Sequence, residues 1–391
     1  MQPLDGIVVL DLSRILAGPW CTQILADLGA RVIKIEHPAN GDDTRHWGPP
    51  WLKDKAGNPT KDAAYYLSAN RGKQSVAVDI ATTEGQEFIR TLAKSADVVV
   101  ENFKVGGLAK YGLDYAGLKE VNPALVYLSV TGFGQTGPRA AEAGYDYLIQ
   151  AMSGLMSITG VPDGQPGAGP MRVGVAVSDI TTGLYGVIGV LAALRHRDNT
   201  GVGQHVDLAL LDTQVSWLAN QAQNYFNTGV SPVRTGAQHP NLAPYQPFET
   251  QDGFVVIAIG NDIQFKRFTD FINRPDLAAD ERFATNPLRV TNQAELASIL
   301  TDITRQRTSA EWLESLPKIA VPCGPINTIE QALEDPQVKA RGMVIDMEHS
   351  TAGSIKGLAN PLKFSETPIV YGKAPPTLGE DTDTLKKEFG N

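Results

Sequence analysis

Short apolar runs alternate with amphipathic stretches along the first part of the chain. The amphipathic stretches 19–30 and 82–96 predict helices, and the first has Pro19 near its start and Gly29 near its end, as helices prefer. The apolar runs predict strands buried on both faces, and they are "IVVLDL", "RVIKIE", "SVAVDI", "DVVVENF" and "ALVYLSV". Strands that alternate with helices predict an α/β fold, with a large Rossmann-like domain built on a parallel sheet.

The pattern changes after residue 226. The stretch 227–247 is rich in Pro, Gly and Asn and predicts a linker, and "FETQDGFVVIAI" after it predicts a hairpin around Asp252-Gly253. Helical patterns follow, so we expect a second, smaller α/β domain. The predicted boundaries are 1–200 for the large domain, 201–240 for a helix and linker, 241–325 for the small domain, and 326–391 for a C-terminal segment that returns to the large domain.

Composition and charge limit the partners and the cellular location that we expect for the protein. Of 391 residues, 42% are hydrophobic and 20% charged, and the net charge of −9 disfavours binding to nucleic acid. The uncharged run 180–194 is shorter than the roughly 20 apolar residues that span a membrane, and the start lacks a signal-peptide pattern. Two distant cysteines, Cys21 and Cys323, suit a reducing cytoplasm and predict no disulfide framework and no metal site. We therefore expect a cytoplasmic protein with no membrane or nucleic-acid partner.

Basic residues follow several predicted strands. In an open parallel sheet, ligands bind beyond the carboxyl ends of the strands. The basic residues that follow strands are His37, Arg45, Lys104, Lys110 and Arg139, while Arg71 and Lys73 stand just before "SVAVDI". In an acidic protein this group suits a polyanion such as a phosphorylated cofactor. Exposed loops also carry Lys and Arg with no ligand, and composition leaves both interpretations open.

Two further motifs raise the question of chemistry. "GFGQTG" (132–137) matches a dinucleotide-binding pattern, but Pro138 follows it and no second strand does, so we interpret it as a tight loop. "AEAGYDYLIQAMSG" (141–154) places Asp146 between two tyrosines in apolar surroundings. Asp146 either caps a helix or does chemistry, and the local sequence alone favours the cap.

Taken together, the chain resembles the family III CoA-transferases, which include formyl-CoA transferase and carnitine CoA-transferase. The resemblance covers nearly the whole chain. It rests on ordered segments that include "PLDGIVVLDLSRILAGPW", "GDDTRHWGPP", "YLSANRGKQSVAVDI", "ADVVVENF", "SVTGFGQTGP", "AGYDYLIQAMSGLMSITG", "AIGNDIQF" and "APPTLGEDTD". "TRHWGPP" and "QTGPRAAEAGYDYLIQAMSGLM" are most similar to the branch that moves CoA between dicarboxylates such as succinate and glutarate.

The resemblance implies roles for particular residues. It assigns the catalytic carboxylate to Asp146, in the G-Y-D motif, and places Trp47, Tyr145 and Gly260 near the substrate. Gly260 stands where formyl-CoA transferase has a multi-glycine loop. The implied contacts to CoA are Ile15, His37, Arg71, Lys73, Asn102, Phe103, Lys104 and Lys110. The resemblance also implies an interlocked homodimer of ring-shaped chains, in which acyl-CoA is a substrate and no cofactor is tightly bound.

The implied reaction transfers CoA from an acyl-CoA to a free carboxylic acid through an aspartyl anhydride and an aspartyl-CoA thioester. A dicarboxylate keeps one charged end, and we predict that Arg45 binds it while Trp47 walls the pocket. Arg45 could instead pair with Asp42 or Asp43, or bind a CoA phosphate. Two other functions stay open, namely an α-methylacyl-CoA racemase-type isomerase and a non-catalytic CoA-binding protein. Tyr145 stands where racemases favour His, which disfavours racemisation.

Overall fold

A computed structural model describes residues 1–390. The described chain forms two compact units. The first comprises residues 1–155, 172–229 and the segment from 336 onward, and the second comprises 156–171 and 230–335. The second unit therefore extends beyond the predicted 241–325 on both sides and includes a short excursion from the first part of the chain.

The strands and helices of both units follow one another in chain order. The strands are β1 Val8–Asp11, β2 Arg31–Glu36, β3 Trp51–Lys53, β4 Pro59–Ala63, β5 Lys73–Ala77, β6 Val98–Glu101, β7 Val126–Thr131, β8 Gly160–Val161, β9 Gly169–Pro170, β10 His205–Ala209, β11 Tyr245–Glu249, β12 Phe254–Ala258, β13 Cys323–Pro325, β14 Val344–His349 and β15 Gly353–Leu358. The helices are α1 Ala17–Asp27, α2 Ala64–Leu67, α3 Thr83–Ser95, α4 Tyr115–Val121, α5 Asp146–Met152, α6 Leu155–Ile158, α7 Val177–Thr200, α8 Leu210–Ser216, α9 Ala219–Thr228, α10 Asp262–Phe271, α11 Asp276–Ala279, α12 Asn286–Thr291, α13 Gln293–Thr304, α14 Ser309–Ser315, α15 Ile329–Glu334, α16 Pro336–Ala340 and α17 Thr382–Phe389.

A six-stranded parallel sheet in the order β10-β7-β6-β1-β2-β5 forms the centre of the first unit. The predicted α/β fold with a parallel sheet is confirmed. Each of the five predicted strands of this part overlaps one of its members. The sheet order makes β7, β6 and β1 neighbours, so the loops that follow these three strands lie side by side.

Alternate residues of the central strands enter two separate cores, one on each face of the sheet. Val98 and Val100 of β6 pack with residues of α1 and α7, whereas Val99 packs on the opposite face with residues of α3. Because β6 is buried on both faces, its sequence is a continuous apolar run instead of an alternating one. The hydrophobic effect therefore fixes both helical layers on the sheet.

Helix α7 is the longest helix of the described chain. By length and composition it could cross a membrane, but half of its most apolar window is buried, and core helices of globular proteins pass the same test. Gly183 and Gly186 let it approach α1, because a Cβ at Gly183 would lie 2.8 Å from the Ala17 carbonyl oxygen. One side of α7 thus packs closely against α1 in the core.

The second unit has its own core around the antiparallel sheet β11-β12-β13, to which residues of α10, α11, α13 and α14 contribute. The predicted hairpin is present as β11 and β12, paired from Tyr245 to Ala258. In the C-terminal segment, helix α17 follows Asp381, whose carboxylate accepts a hydrogen bond from the Ser75 N–H of β5 at 3.0 Å. Asp381 thus attaches the returning segment to the edge of the parallel sheet.

Candidate functional site

A cavity of about 470 Å³ lies at the carboxyl ends of β1, β6 and β7 in the first unit. This is the edge where an open parallel sheet binds its ligands. Its lining includes five predicted CoA contacts, namely Ile15, Asn102, Phe103, Lys104 and Lys110. It also includes Arg14, Tyr145 and Asp179. The structure therefore brings residues from three neighbouring loops and from the start of α7 into one site.

Asp146 lies at the first position of α5 and is partly buried. Its Oδ1 accepts a hydrogen bond from the Ser178 N–H at 2.8 Å, and its Oδ2 accepts one from Gln150 Nε2 at 2.8 Å. Ser178 is the second residue of α7, whose own N-cap residue, Ala176, has no capping side chain. Asp146 thus caps a helix, but the helix is α7 and not its own.

Asp179, one residue beyond Ser178, is the carboxylate that lines the cavity. Most of the group lies among packed atoms, and this burial, followed by the negative charge of Asp146, raises the pKa of Asp179 to about 7. Asp146 itself is not among the residues that line the cavity. Two carboxylates therefore stand at the start of one helix, one tied to backbone and side-chain donors and one facing the open space.

Tyr65 and Trp47 complete this region. Burial, and then the charges of Asp179 and Asp146, raises the pKa of the Tyr65 hydroxyl to about 12. That electrostatic effect places Tyr65 close to both carboxylates. The Trp47 ring packs edge-on against Tyr65, with ring centroids 5.1 Å apart. Trp47 therefore contacts a tyrosine that senses both carboxylates, and its place at the substrate stays a prediction.

Two of the predicted cations, Lys104 and Lys110, are exposed at the cavity and have no carboxylate partner within residues 1–390. Lys110 lies over the Tyr111 ring at 4.6 Å. His37 is exposed after β2 but does not line the cavity, and its Nδ1 accepts the Ala39 N–H. The two lysines are the cations best placed to bind a phosphate here.

Arg71 and Lys73 are not among the residues that line the cavity, and their role as CoA ligands stays a prediction that this geometry does not support. Arg71 is buried and donates two hydrogen bonds to the Asp27 carboxylate, at 2.8 and 2.6 Å. Lys73 is fully buried, and its Nζ donates to Asp11, Asn70 and the Pro19 carbonyl oxygen. Their charges are already paired inside the fold, and removing either cation would leave a buried carboxylate without its partner.

Arg45 is also an internal cation, so the geometry does not support its predicted contact with a dicarboxylate. It is 2% exposed, and its guanidinium donates to Glu36, Asp62 and the Pro376 carbonyl oxygen. It lies 3.7 Å over the Tyr66 ring. Neither Asp42 nor Asp43, the partners considered from sequence, forms its ion pairs.

The tyrosines around Asp146 are not buried in the single chain. Tyr145 and Tyr147 are 61% and 60% exposed. Gly260 lies in the second unit, where its N–H donates to Gln264 Oε1 at 2.8 Å, and its substrate role stays a prediction.

Ile15 has a backbone conformation that costs energy. Its φ of 73° lies in the left-handed region, which a β-branched residue avoids, at a cost of about 1–2 kcal/mol relative to the right-handed region. Glycine would remove that cost, yet the chain has isoleucine at the cavity wall. Strained residues of this kind cluster at functional sites, so Ile15 is a candidate functional residue.

Sequence reasoning missed Asp179 and Arg14. Asp179 had a visible signal, because it is an isolated charge immediately before the long uncharged run 180–194. An acidic residue in the first turn of a helix is common, so that signal alone is weak. Arg14 directly precedes Ile15, and its guanidinium lies 5.5 Å over the Phe103 ring at the cavity.

Known proteins match nearly the whole length of this chain. The family model described as CoA-transferase family III matches residues 4–382. The succinate–glutarate CoA-transferase of Agrobacterium fabrum is 51% identical over 97% of this chain and 93% of that protein. The succinyl-CoA:glutarate CoA-transferase of Homo sapiens is 41% identical over 99% of this chain and 86% of that protein. The crystal structure of a CAIB/BAIF family protein from Brucella suis is similar with a TM-score of 0.87, at 49% identity over 99% of both chains.

Proposed function

Because the chain belongs to CoA-transferase family III, we propose that it transfers CoA from one dicarboxylic acid to another of the succinate and glutarate type. The names of relatives at 51% and 41% identity support this substrate class. The test is to incubate the protein with succinyl-CoA and glutarate and to follow glutaryl-CoA and free succinate by mass. Exchange of the α-hydrogen without a new acyl-CoA would indicate an isomerase instead.

The cavity carries the proposal for the nucleophile, and it favours Asp179 over Asp146. Asp179 lines the cavity beside the predicted CoA contacts, whereas both oxygens of Asp146 accept hydrogen bonds that organise the start of α7. A carboxylate with a raised pKa is a stronger nucleophile than an ordinary one and still ionises near neutral pH. The start of α7 also favours the ionised form.

The reaction then proceeds by covalent catalysis. The Asp179 carboxylate attacks the carbonyl carbon of the donor acyl-CoA, forming a mixed anhydride and releasing CoA thiolate. The thiolate attacks the aspartyl carbonyl, which gives an aspartyl-CoA thioester and frees the donor acid. The acceptor carboxylate attacks that thioester and regenerates an anhydride and the thiolate. Attack of the thiolate on the acceptor carbonyl completes the new acyl-CoA and restores Asp179.

The pH dependence of kcat/KM should follow the ionisation of the Asp179 carboxyl group. Its pKa is raised to about 7, by burial first and by the charge of Asp146 second, and only the ionised form attacks. Activity should therefore rise with pH through about 7 and fall about tenfold per unit well below it. Asp146→Asn removes the neighbouring negative charge, lowers the pKa of Asp179 and moves the acid limb to lower pH. An acid limb at the same pH in both proteins would contradict this coupling.

Lys104→Ala and Lys110→Ala should each raise the KM for acyl-CoA. Each removes an exposed cation at the cavity, and a charge-assisted hydrogen bond to a phosphate contributes about 1.5–3 kcal/mol, or roughly 10- to 150-fold. Lys119→Ala is the matched control, because Lys119 is exposed over Tyr115 and does not line the cavity. Equal KM values in all three variants and the wild type would mean that the phosphates bind elsewhere.

The interlocked homodimer belongs to the same proposal. Helix α7 exposes Leu184, Ile188 and Leu191, which recur on one face, and α9 exposes Phe226 at 72%. Apolar faces of this kind mark protein interfaces, and a partner subunit would also cover the exposed tyrosines beside Asp146. The molecular mass in solution tests whether the protein is a dimer.

The free thiols of Cys21 and Cys323 suit a cytoplasmic location.

A further inference from the structure

The three residues that join β1 to α1, Ser13 to Ile15, have no regular secondary structure, yet side chains bind nearly all of their backbone polar groups. Asn102 Oδ1 accepts the Arg14 N–H at 2.9 Å, and Asn102 Nδ2 donates to the Arg14 carbonyl oxygen at 2.7 Å. Lys34 Nζ donates to the Ser13 carbonyl oxygen at 2.8 Å. Arg14 and Ile15 line the cavity. Side chains of other elements therefore fix the backbone of a segment that forms part of the cavity lining.

Asp42 holds the strained member of that segment. The Ile15 N–H lies 3.2 and 3.3 Å from the two carboxylate oxygens of Asp42. Asp42 Oδ2 also pairs with Lys34 Nζ at 2.9 Å, and both side chains are fully buried. One buried ion pair thus binds the segment at two points, at the Ser13 carbonyl oxygen through Lys34 and at the Ile15 N–H through Asp42.

We propose that Lys34 and Asp42, which together we call the clamp, are positioning residues for acyl-CoA binding. The clamp holds Ile15 in its left-handed conformation and so keeps the Arg14 and Ile15 side chains at the cavity before the substrate arrives. Without the clamp, an isoleucine would relax toward the right-handed or extended region and withdraw part of the wall. The proposal rests on the proposed function in one respect, namely that acyl-CoA occupies this cavity.

The clamp predicts that the effects of Asp42→Asn and Ile15→Gly on the KM for acyl-CoA are not additive. Asp42→Asn weakens the hold on Ile15 and should raise the KM for acyl-CoA on the order of tenfold, while kcat changes less. In an Ile15→Gly background the left-handed conformation carries no penalty, so adding Asp42→Asn should raise KM little further. Full additivity of the two substitutions in KM would overturn the clamp.

Asp62→Asn is the matched control, because Asp62 is a buried carboxylate that pairs with Arg45 and is not hydrogen-bonded to Ser13, Arg14 or Ile15. It should lower the melting temperature as Asp42→Asn does and leave the KM for acyl-CoA unchanged. An equal rise of KM in both variants would mean that general destabilisation, and not the clamp, sets KM.

A measurement on the wild type covers the case in which Asp42→Asn does not fold. Hydrogen exchange of the free enzyme should show a protected Ile15 amide although the residue borders open space, and fast exchange there would overturn the proposal. Lys104→Ala distinguishes a failure of the clamp from a failure of the proposed acyl-CoA site. If it raises KM while Asp42→Asn does not, only the clamp fails; if neither changes KM, acyl-CoA binds elsewhere and the proposed site fails.

Discussion

Asp179→Asn should lower CoA transfer by about three orders of magnitude or more, while folding and acyl-CoA binding persist. The substitution is nearly isosteric and replaces the carboxylate at the cavity with an amide that cannot form the anhydride. Steady-state assays with succinyl-CoA and glutarate measure the loss, and equilibrium binding of CoA with the melting temperature checks the protein. Because no covalent route remains, kcat should fall far more than KM rises.

Asp146→Asn is the matched control for that experiment. It makes the same chemical change, from a carboxylate to an amide, at the neighbouring residue. The amide keeps an oxygen that can accept the Ser178 N–H, but the negative charge next to Asp179 is lost. We expect transfer to persist at neutral pH, with the acid limb shifted to lower pH because the charge that raises the pKa of Asp179 is gone. If Asp146→Asn abolishes transfer while Asp179→Asn retains it, the assignment derived from the cavity is wrong and that from the G-Y-D motif is right.

Arg45→Gln should lower the free energy of unfolding by about 3–5 kcal/mol, the usual cost of removing one partner from a buried ion pair. Glu36 and Asp62 would then be buried carboxylates without their cation. Since Arg45 lies inside the fold, monocarboxylate and dicarboxylate acceptors should lose activity in the same proportion. Chemical denaturation and paired acceptor assays measure the two effects.

Arg305→Gln provides the comparison for Arg45→Gln. Arg305 forms an ion pair with Glu249 at the surface, where both side chains are about half exposed. Surface pairs contribute about 0–1 kcal/mol, so this variant should unfold almost as the wild type does. An Arg45→Gln protein of full stability that loses only its dicarboxylate acceptors would restore the original hypothesis that Arg45 binds the substrate.

The fold could be predicted from sequence because burial leaves a strong pattern. Strands β2, β6 and β7 lie in a sheet covered on both faces, so their apolar runs are unbroken. The short pairs β3-β4 and β8-β9 leave no such pattern, and they were not predicted. Family resemblance supplied the cavity contacts, and the structure brings Ile15, Asn102 and Phe103 together as expected.

The roles of individual charges could not be predicted in the same way. Lys73 and Lys104 are both lysines near a strand end, but one is enclosed by Asp11, Asn70 and a carbonyl oxygen while the other is free at the cavity. Partners separated by many residues in sequence decide the difference. The carboxylates pose the same problem, because only the three-dimensional arrangement shows that Asp146 caps α7 and that Asp179 lines the cavity.

Trapping the covalent intermediate tests the central claim most directly. Trypsin cleavage after Arg139, Arg172 and Arg195 places Asp146 in peptide 140–172 and Asp179 in peptide 173–195, where it is the only acidic residue. The enzyme is incubated with succinyl-CoA, treated with hydroxylamine, digested and analysed by mass spectrometry. We predict an aspartyl hydroxamate in peptide 173–195, dependent on acyl-CoA and absent from Asp179→Asn. A hydroxamate in peptide 140–172, with peptide 173–195 unmodified, would contradict the assignment of Asp179.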